Sequence, residues 1–206
     1  MIIISWNIKG FGGSNRKRKR GRMCQEIHRR LIGGLVDILL LQEHNLSREK
    51  ITSFGSPLQG DWVTFSGHGY GSEENAGGVC ISLRGKWKNQ IVENVVLIQG
   101  RAQYVVLEVG DTKWGILNIY APNQVLNRKL FWLQLHTLLP HTVQKWIAGG
   151  DFNMIEDPRD RRGGRSSSIH GQKLEEWERL IFLLKLSDVW NIENFSRDKN
   201  SLQFSR

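Results

Sequence analysis

Apolar residues in this chain come in short runs, and the spacing of those runs predicts its elements. Residues 2–6, apolar apart from Ser5, are too few for a helix of ordinary length and read as a buried strand. Ser14 is placed to cap a helix reaching about Leu31, with Cys24, Ile27 and Leu31 on one face, and Gly33-Gly34 ends it. Residues 36–41 form a second apolar run and a second buried strand. Strand, helix and strand in that order predict a parallel crossover. The middle changes character. Residues 62–65, 78–83, 91–98, 104–109 and 114–120 are strand-like runs, punctuated as at Arg84-Gly85-Lys86 and Gly110-Asp111. They predict antiparallel neighbours joined by tight turns. Asn127 is placed to cap a helix reaching about Leu139, which Pro140 stops, and residues 146–150 make a further strand. Gly163-Gly164-Arg165-Ser166-Ser167-Ser168 reads as a flexible loop. Leu174, Trp177, Ile181 and Leu184 then recur at helical spacing. The order β-α-β, a run of strands, then α-β-α predicts an α/β (α+β) fold: a two-sheet mixed sandwich flanked by helices.

Length and composition narrow the class. A chain of 206 residues predicts one domain spanning 1–206. With 39% hydrophobic and 24% charged residues it is not globally disordered. No apolar run approaches the roughly 20 residues that span a bilayer, so no membrane partner is expected. Only Cys24 and Cys80 are present, without metal-ligand spacing, which suits a reducing, intracellular setting. The 29 basic and 20 acidic residues leave +9, but six of the positives sit in Arg16-Lys17-Arg18-Lys19-Arg20-Gly21-Arg22. That run reads either as a phosphate contact or nuclear-import signal, or as a solvated helix start.

Four strand ends carry candidate chemistry. Glu43 follows an apolar strand, where a carboxylate emerges from the core to bind Mg²⁺ or to make a solvated or capping contact. Asp151 and Asn153 follow Gly149-Gly150. Two residues apart in an extended segment, they would face one pocket, with Asp151 orienting a water and Asn153 holding a phosphoryl oxygen. The alternative is an ordinary Gly-Gly-Asp turn. Tyr120 ends a strand and reads either as a donor to a phosphate oxygen or as a ring on the core edge. Asn7 reads either as a metal or phosphate ligand or as a turn residue.

Together, Trp6-Asn7, Gln42-Glu43, Asn118-Ile119-Tyr120-Ala121-Pro122-Asn123 and Gly150-Asp151-Phe152-Asn153 resemble, in order and separation, the endonuclease/exonuclease/phosphatase superfamily. The opening Ile2-Ile3-Ile4-Ser5-Trp6-Asn7-Ile8-Lys9-Gly10 and the Asp188-Val189-Trp190 segment look most like the apurinic-type endonuclease domain of plant non-LTR (LINE-type) retrotransposons. The resemblance implies a two-sheet sandwich with a pocket at one edge. It implies that Asn7 and Glu43 help bind Mg²⁺, with Mn²⁺ as the alternative, and that Tyr120 and Asn123 contact the phosphate. Asp151 would align the water and Asn153 would stabilise the pentacovalent transition state. The implied substrate is DNA, nicked on one strand. Arg16, Lys17, Arg18, Arg161 and Arg162 are the expected nucleic-acid contacts, the last two alternatively pairing with Asp157 and Asp160. A nuclear location is expected and no obligate protein partner is evident.

Two departures qualify that expectation. His44 stands where the family carries Thr. The family's late Asp and its Ser-Asp-His motif have no counterpart before Arg206, and none of the six histidines matches the family's catalytic position. The resemblance therefore predicts a C-terminally truncated domain, lacking its last strands and with weak or no turnover. Two other readings stay open: a small-molecule phosphoesterase of the same fold, and a non-catalytic nucleic-acid-binding remnant.

Overall fold

The computed structural model describes residues 1–10, 36–45, 62–67, 77–154 and 175–187. The predicted helix at 14–31, the basic run at 16–22, Arg161 and Arg162 with their loop, Leu174, and Asp188-Val189-Trp190 lie outside the described residues.

Eight strands form two four-stranded sheets among the described residues. They are β1 (Ile3–Asn7), β2 (Ile38–Gln42), β3 (Trp62–Gly67), β4 (Val79–Arg84), β5 (Ile91–Ile98), β6 (Ala102–Val109), β7 (Thr112–Tyr120) and β8 (Lys145–Asp151). The first sheet has the order β1-β2-β4-β3 and the second β5-β6-β7-β8. Only β1/β2 and β7/β8 are parallel, setting Asn7 opposite Gln42 and Tyr120 opposite Asp151. The remaining pairs are antiparallel, as the Gly- and Asn-punctuated middle of the chain predicts. Each parallel pair brings two strand carboxyl ends together, and this property positions the site.

Alternation along β2 assigns its side chains to two cores. Ile38 and Leu40 face the second sheet and pack with Ile81, Leu83, Val105, Leu107 and Ile116. Leu39 and Leu41 face the other way, with Ile8, Val36 and Cys80. A strand buried on both faces has no polar alternation, which is why residues 36–41 are an unbroken apolar run. On the outer face of the second sheet, Tyr104, Val106, Leu117 and Ile119 meet helices α1 (Val125–Leu138) and α2 (Glu175–Leu184). Trp132 of α1 is the hub, with ring centroids 4.8 Å from both Phe131 and Trp177. Burying such side chains contributes roughly 1.5–3 kcal/mol each, so this layer secures both helices.

Two local expectations are corrected. Asn127 does not cap α1. The cap position is Gln124, with no side-chain cap bond, and Asn127 lies in the first turn, where its Nδ2 donates to Gln124 Oε1 at 3.0 Å. Tertiary burial of Phe131, Trp132 and Leu135 holds this helix without the usual cap. Arg84-Gly85-Lys86 is not a tight turn but leads into a 3-10 helix, Gly85–Gln90.

Candidate active site

Both parallel pairs end at the same edge of the sandwich. There Asn7, the last residue of β1, donates its Nδ2 to Asp151 Oδ2, the last residue of β8, at 2.6 Å. This bond joins the two sheets across 144 residues of chain. It requires β8 to lie close to β1 and β2, and Gly149 permits that. A Cβ at Gly149 would stand 2.7 Å from Leu40 Cδ1, well inside contact distance. Gly150 adopts φ +151, and a Cβ there would meet the Ile119 carbonyl oxygen at 2.0 Å. The two glycines therefore serve close packing inside β8, and the alternative of an ordinary Gly-Gly-Asp turn is not adopted.

Asp151 and Asn153 do converge, but not by strand alternation. Asn153 lies beyond β8 in the left-handed region, φ +49, and its backbone N–H donates to Asp151 Oδ1 at 3.0 Å. This Asx-type turn folds the chain back on the carboxylate. Asn153 Nδ2 donates to the Ala121 carbonyl at 2.7 Å, which ties the turn to the end of β7. Both Asp151 oxygens thus accept one bond from a fixed donor, and each keeps further acceptor capacity. Asn7 Oδ1 accepts from Lys9 N at 2.9 Å, so this amide is held at both ends.

Behind this edge lies a buried polar clamp. Gln42 Nε2 donates to Ser5 Oγ at 3.1 Å and to Asn118 Oδ1 at 2.7 Å. Asn118 Nδ2 in turn donates to the Leu41 and Cys80 carbonyls, both at 2.9 Å. Gln42 and Asn118 are essentially inaccessible. One residue of the second sheet thereby grips two strands of the first. The positions of Glu43, next to Gln42, and Tyr120, two residues past Asn118, follow from that grip.

Tyr120 is the centre of the electrostatics. It is 8% exposed, and the Arg101 guanidinium sits 4.5 Å from its ring centroid. Tyr120 N donates to the Arg101 carbonyl at 2.7 Å. Burial raises the phenol above its ordinary value, the Glu43 carboxylate adds to the rise, Arg101 opposes it and Asp151 adds again. Both carboxylates therefore act on one hydroxyl, which stays an O–H donor through neutral pH. Glu43 is half-buried, with φ +54, where the chain turns out of β2. Its carbonyl accepts from Gly10 N at 2.6 Å.

Asn7, Glu43, Tyr120, Asp151 and Asn153 thus come together. Asn123 does not join them by any described side-chain bond. It is exposed on the loop after β7, where its carbonyl accepts from Arg128 Nη1 at 2.9 Å. His44 turns inward, is 1% exposed, and places Nε2 3.2 Å from the Gly67 carbonyl. Arg101, Gln42 and Asn118 are the residues whose roles the sequence did not disclose. The structure brings Arg101 to Tyr120 through the hairpin register that pairs Ala102 with Ile119.

The donor set suits a hard divalent cation. Glu43 and Asp151 supply carboxylates and Asn7 an amide oxygen, and Mg²⁺ is commonly held by one or two carboxylates with water and substrate oxygens. Among the described residues no three His, Cys, Asp or Glu side chains form a closed metal cage. An open, oxygen-only site of this kind is compatible with that.

Comparison with known proteins agrees with this fold. The model of the Endonuclease/Exonuclease/phosphatase family matches residues 4–202. The chain is similar to the "Transposon TX1 uncharacterized 149 kDa protein" of Xenopus laevis, 26% identical over 119 residues. That match spans 57% of this chain and 9% of the transposon protein. In fold it resembles the catalytic domain of Xenopus laevis APE2, with TM-score 0.63, 17% identity, and coverage of 88% of this chain and 67% of that one. It also resembles the AP endonuclease LMAP of Leishmania major, with TM-score 0.61, 15% identity, and coverage of 89% and 65%. The chain thus spans about two thirds of each solved domain and under a tenth of the transposon protein.

Proposed function

The chain belongs to the endonuclease/exonuclease/phosphatase family, and from that premise we propose that it hydrolyses phosphodiester bonds in DNA as a Mg²⁺-dependent endonuclease. The observation that carries this reading is the Asn7–Asp151 bridge, which closes the carboxyl ends of both parallel pairs around Glu43 and Tyr120. The net charge of +9 and the transposon relative support a polyanionic substrate.

The chemistry follows from what each group can do. Asp151 accepts the proton of an attacking water, and the bonds from Asn7 Nδ2 and Asn153 N hold the carboxylate in place for that transfer. Tyr120, kept protonated, donates its O–H to a phosphate oxygen. Asn153 uses one amide hydrogen on Ala121 O and offers the second to a non-bridging oxygen. Glu43 and Asn7 would hold Mg²⁺, and Asn123 would contact the phosphate. A divalent ion held there would supply Lewis-acid polarisation of the phosphate and charge stabilisation for the leaving oxygen.

The test is nicking of supercoiled plasmid with Mg²⁺ or EDTA, beside Glu43→Ala. Nicking that needs both the ion and Glu43 supports the proposal. Hydrolysis of a soluble phosphomonoester without nicking moves the chain to the small-molecule branch of the family. Mg²⁺-indifferent, salt-sensitive DNA binding without cleavage makes it a binding remnant.

A further inference from the structure

The end of the sandwich opposite the Asn7–Asp151 edge carries a second concentration of chemistry. Three tryptophans there each hold a cation. The Arg84 guanidinium lies 5.3 Å from the Trp62 ring centroid, Lys86 Nζ 5.6 Å from Trp87, and Lys145 Nζ 4.8 Å from Trp114. Their common location follows from the register. Trp62 begins β3 and pairs with Arg84, which ends β4; Trp114 lies near the start of β7 and pairs with Lys145, which begins β8. Lys86 and Trp87 sit on the 3-10 helix that leaves β4. Trp87 and Trp114 close this end of the inter-sheet core, and Trp62 packs at the same end on the outer face of the first sheet, beside Leu39 and Leu41. All three rings are partly exposed.

Charge and distance then limit what this end can meet. Of the acids nearby, Asp37 is already engaged by Lys86, and by Met1 N at 3.8 Å. Glu108 pairs in register with Lys113, and Asp111 sits on the β6–β7 turn. Lys88 and Lys145 are exposed, with no ion pair among the described residues. Trp114 and Tyr120 stand six positions apart on β7, about 20 Å at about 3.3 Å per residue. This end therefore cannot touch the phosphate held at Tyr120, yet one polymer can reach both.

We propose that the Trp62–Trp87–Trp114 end of the sandwich is a second binding surface for single-stranded nucleic acid, separate from the phosphodiesterase site. Core packing fixes each indole on one side and leaves it partly exposed on the other, with a cation resting on its face. On Trp114 an unstacked base takes the place of Lys145, whose ammonium moves to the adjoining phosphate, while Arg84, bonded to the Val36 carbonyl, and Lys86, paired with Asp37, stay beside the other rings. Duplex DNA offers no free base face, so the surface prefers single strands. An anionic membrane would supply negative charge without an aromatic partner, and is the weaker match to three separate ring–cation pairs.

The test uses the full chain in EDTA with a labelled single-stranded oligonucleotide of about twelve nucleotides. Lys88→Glu with Lys145→Glu is expected to weaken binding about tenfold at fixed salt and to reduce the salt slope by about one per lysine. Its urea midpoint and plasmid nicking should match the parent. Tryptophan fluorescence should be quenched by DNA and RNA single strands alike, and not by heparin. Unchanged oligonucleotide affinity in the double variant overturns the proposal. So does equal affinity for duplex without quenching, or tighter binding to phosphatidylserine vesicles than to the oligonucleotide. Because every outcome that decides the proposal is binding without Mg²⁺, these outcomes are independent of whether the chain cleaves DNA.

Discussion

Replacing Asn118 should loosen the two sheets from each other. Its side chain makes three hydrogen bonds in a fully buried setting: 2.7 Å from Gln42 Nε2, and 2.9 Å to each of the Leu41 and Cys80 carbonyls. Asn118→Leu keeps the volume and removes all three. At a net of about 1 kcal/mol per bond the loss is about 3 kcal/mol, and Gln42 Nε2 keeps only Ser5 as a partner. For a chain of 206 residues that corresponds to a drop in Tm of roughly 6–12 °C. Urea unfolding followed by tryptophan fluorescence measures the loss. A double-mutant cycle with Gln42→Ala isolates the shared bond, and the two single effects should exceed the combined effect by about 1 kcal/mol or more. A loss under about 1 kcal/mol for Asn118→Leu, or strict additivity with Gln42→Ala, would refute the clamp as the tie between the sheets.

Gly150→Ala should destabilise by more than about 2 kcal/mol, because the added methyl meets the Ile119 carbonyl at 2.0 Å and the backbone sits at φ +151; a parental Tm would contradict this. Tyr120→Phe should leave stability within about 1 kcal/mol, since the ring contact with Arg101 survives, while nicking falls on the order of 10²–10³-fold; equal turnover would remove Tyr120 from the chemistry. Alkaline pH should destabilise the fold. Burial pushes the Cys80 thiol from 9.0 up to about 12, and burial raises the Tyr104 and Tyr120 phenols, with Glu93 and Glu43 adding to the respective shifts. A raised pKa means the native state keeps a proton that the unfolded chain releases, so this stability is whole below about pH 9 and is lost as pH rises toward 12. A urea midpoint constant from pH 8 to 11 would show that these groups titrate alike in both states.

The corrections mark where local reasoning stops. Asn127 carries a good capping side chain, yet α1 begins three residues earlier at an uncapped Gln124, because the ridge of Phe131, Trp132 and Leu135 decides where the helix starts. The Gly-Gly-Asp turn left as an alternative at Gly149-Gly150 is not adopted: both glycines lie within β8, where neighbouring strands leave no room for a Cβ. Asp151 and Asn153 share the site as expected, but through a left-handed Asn153 and an Asx-type turn that a period-two pattern does not encode.

From sequence alone came the strands, the parallel pairing of the first two, the antiparallel middle, and the positions of Asn7, Glu43, Tyr120, Asp151 and Asn153 at or just past strand ends. Those features rest on local periodicity and on motifs a few residues long. Only the tertiary structure decided that β2 pairs with β4 and not β3, that Asn7 faces Asp151 with its nitrogen, and that Arg101 lies over Tyr120. It also decided that Gln42 and Asn118 meet although 76 positions apart. The physical reason is the same in each case. A side chain's hydrogen-bond partner and electrostatic environment depend on which strands pair and how closely two sheets approach, and the residue's neighbours in the chain do not specify either.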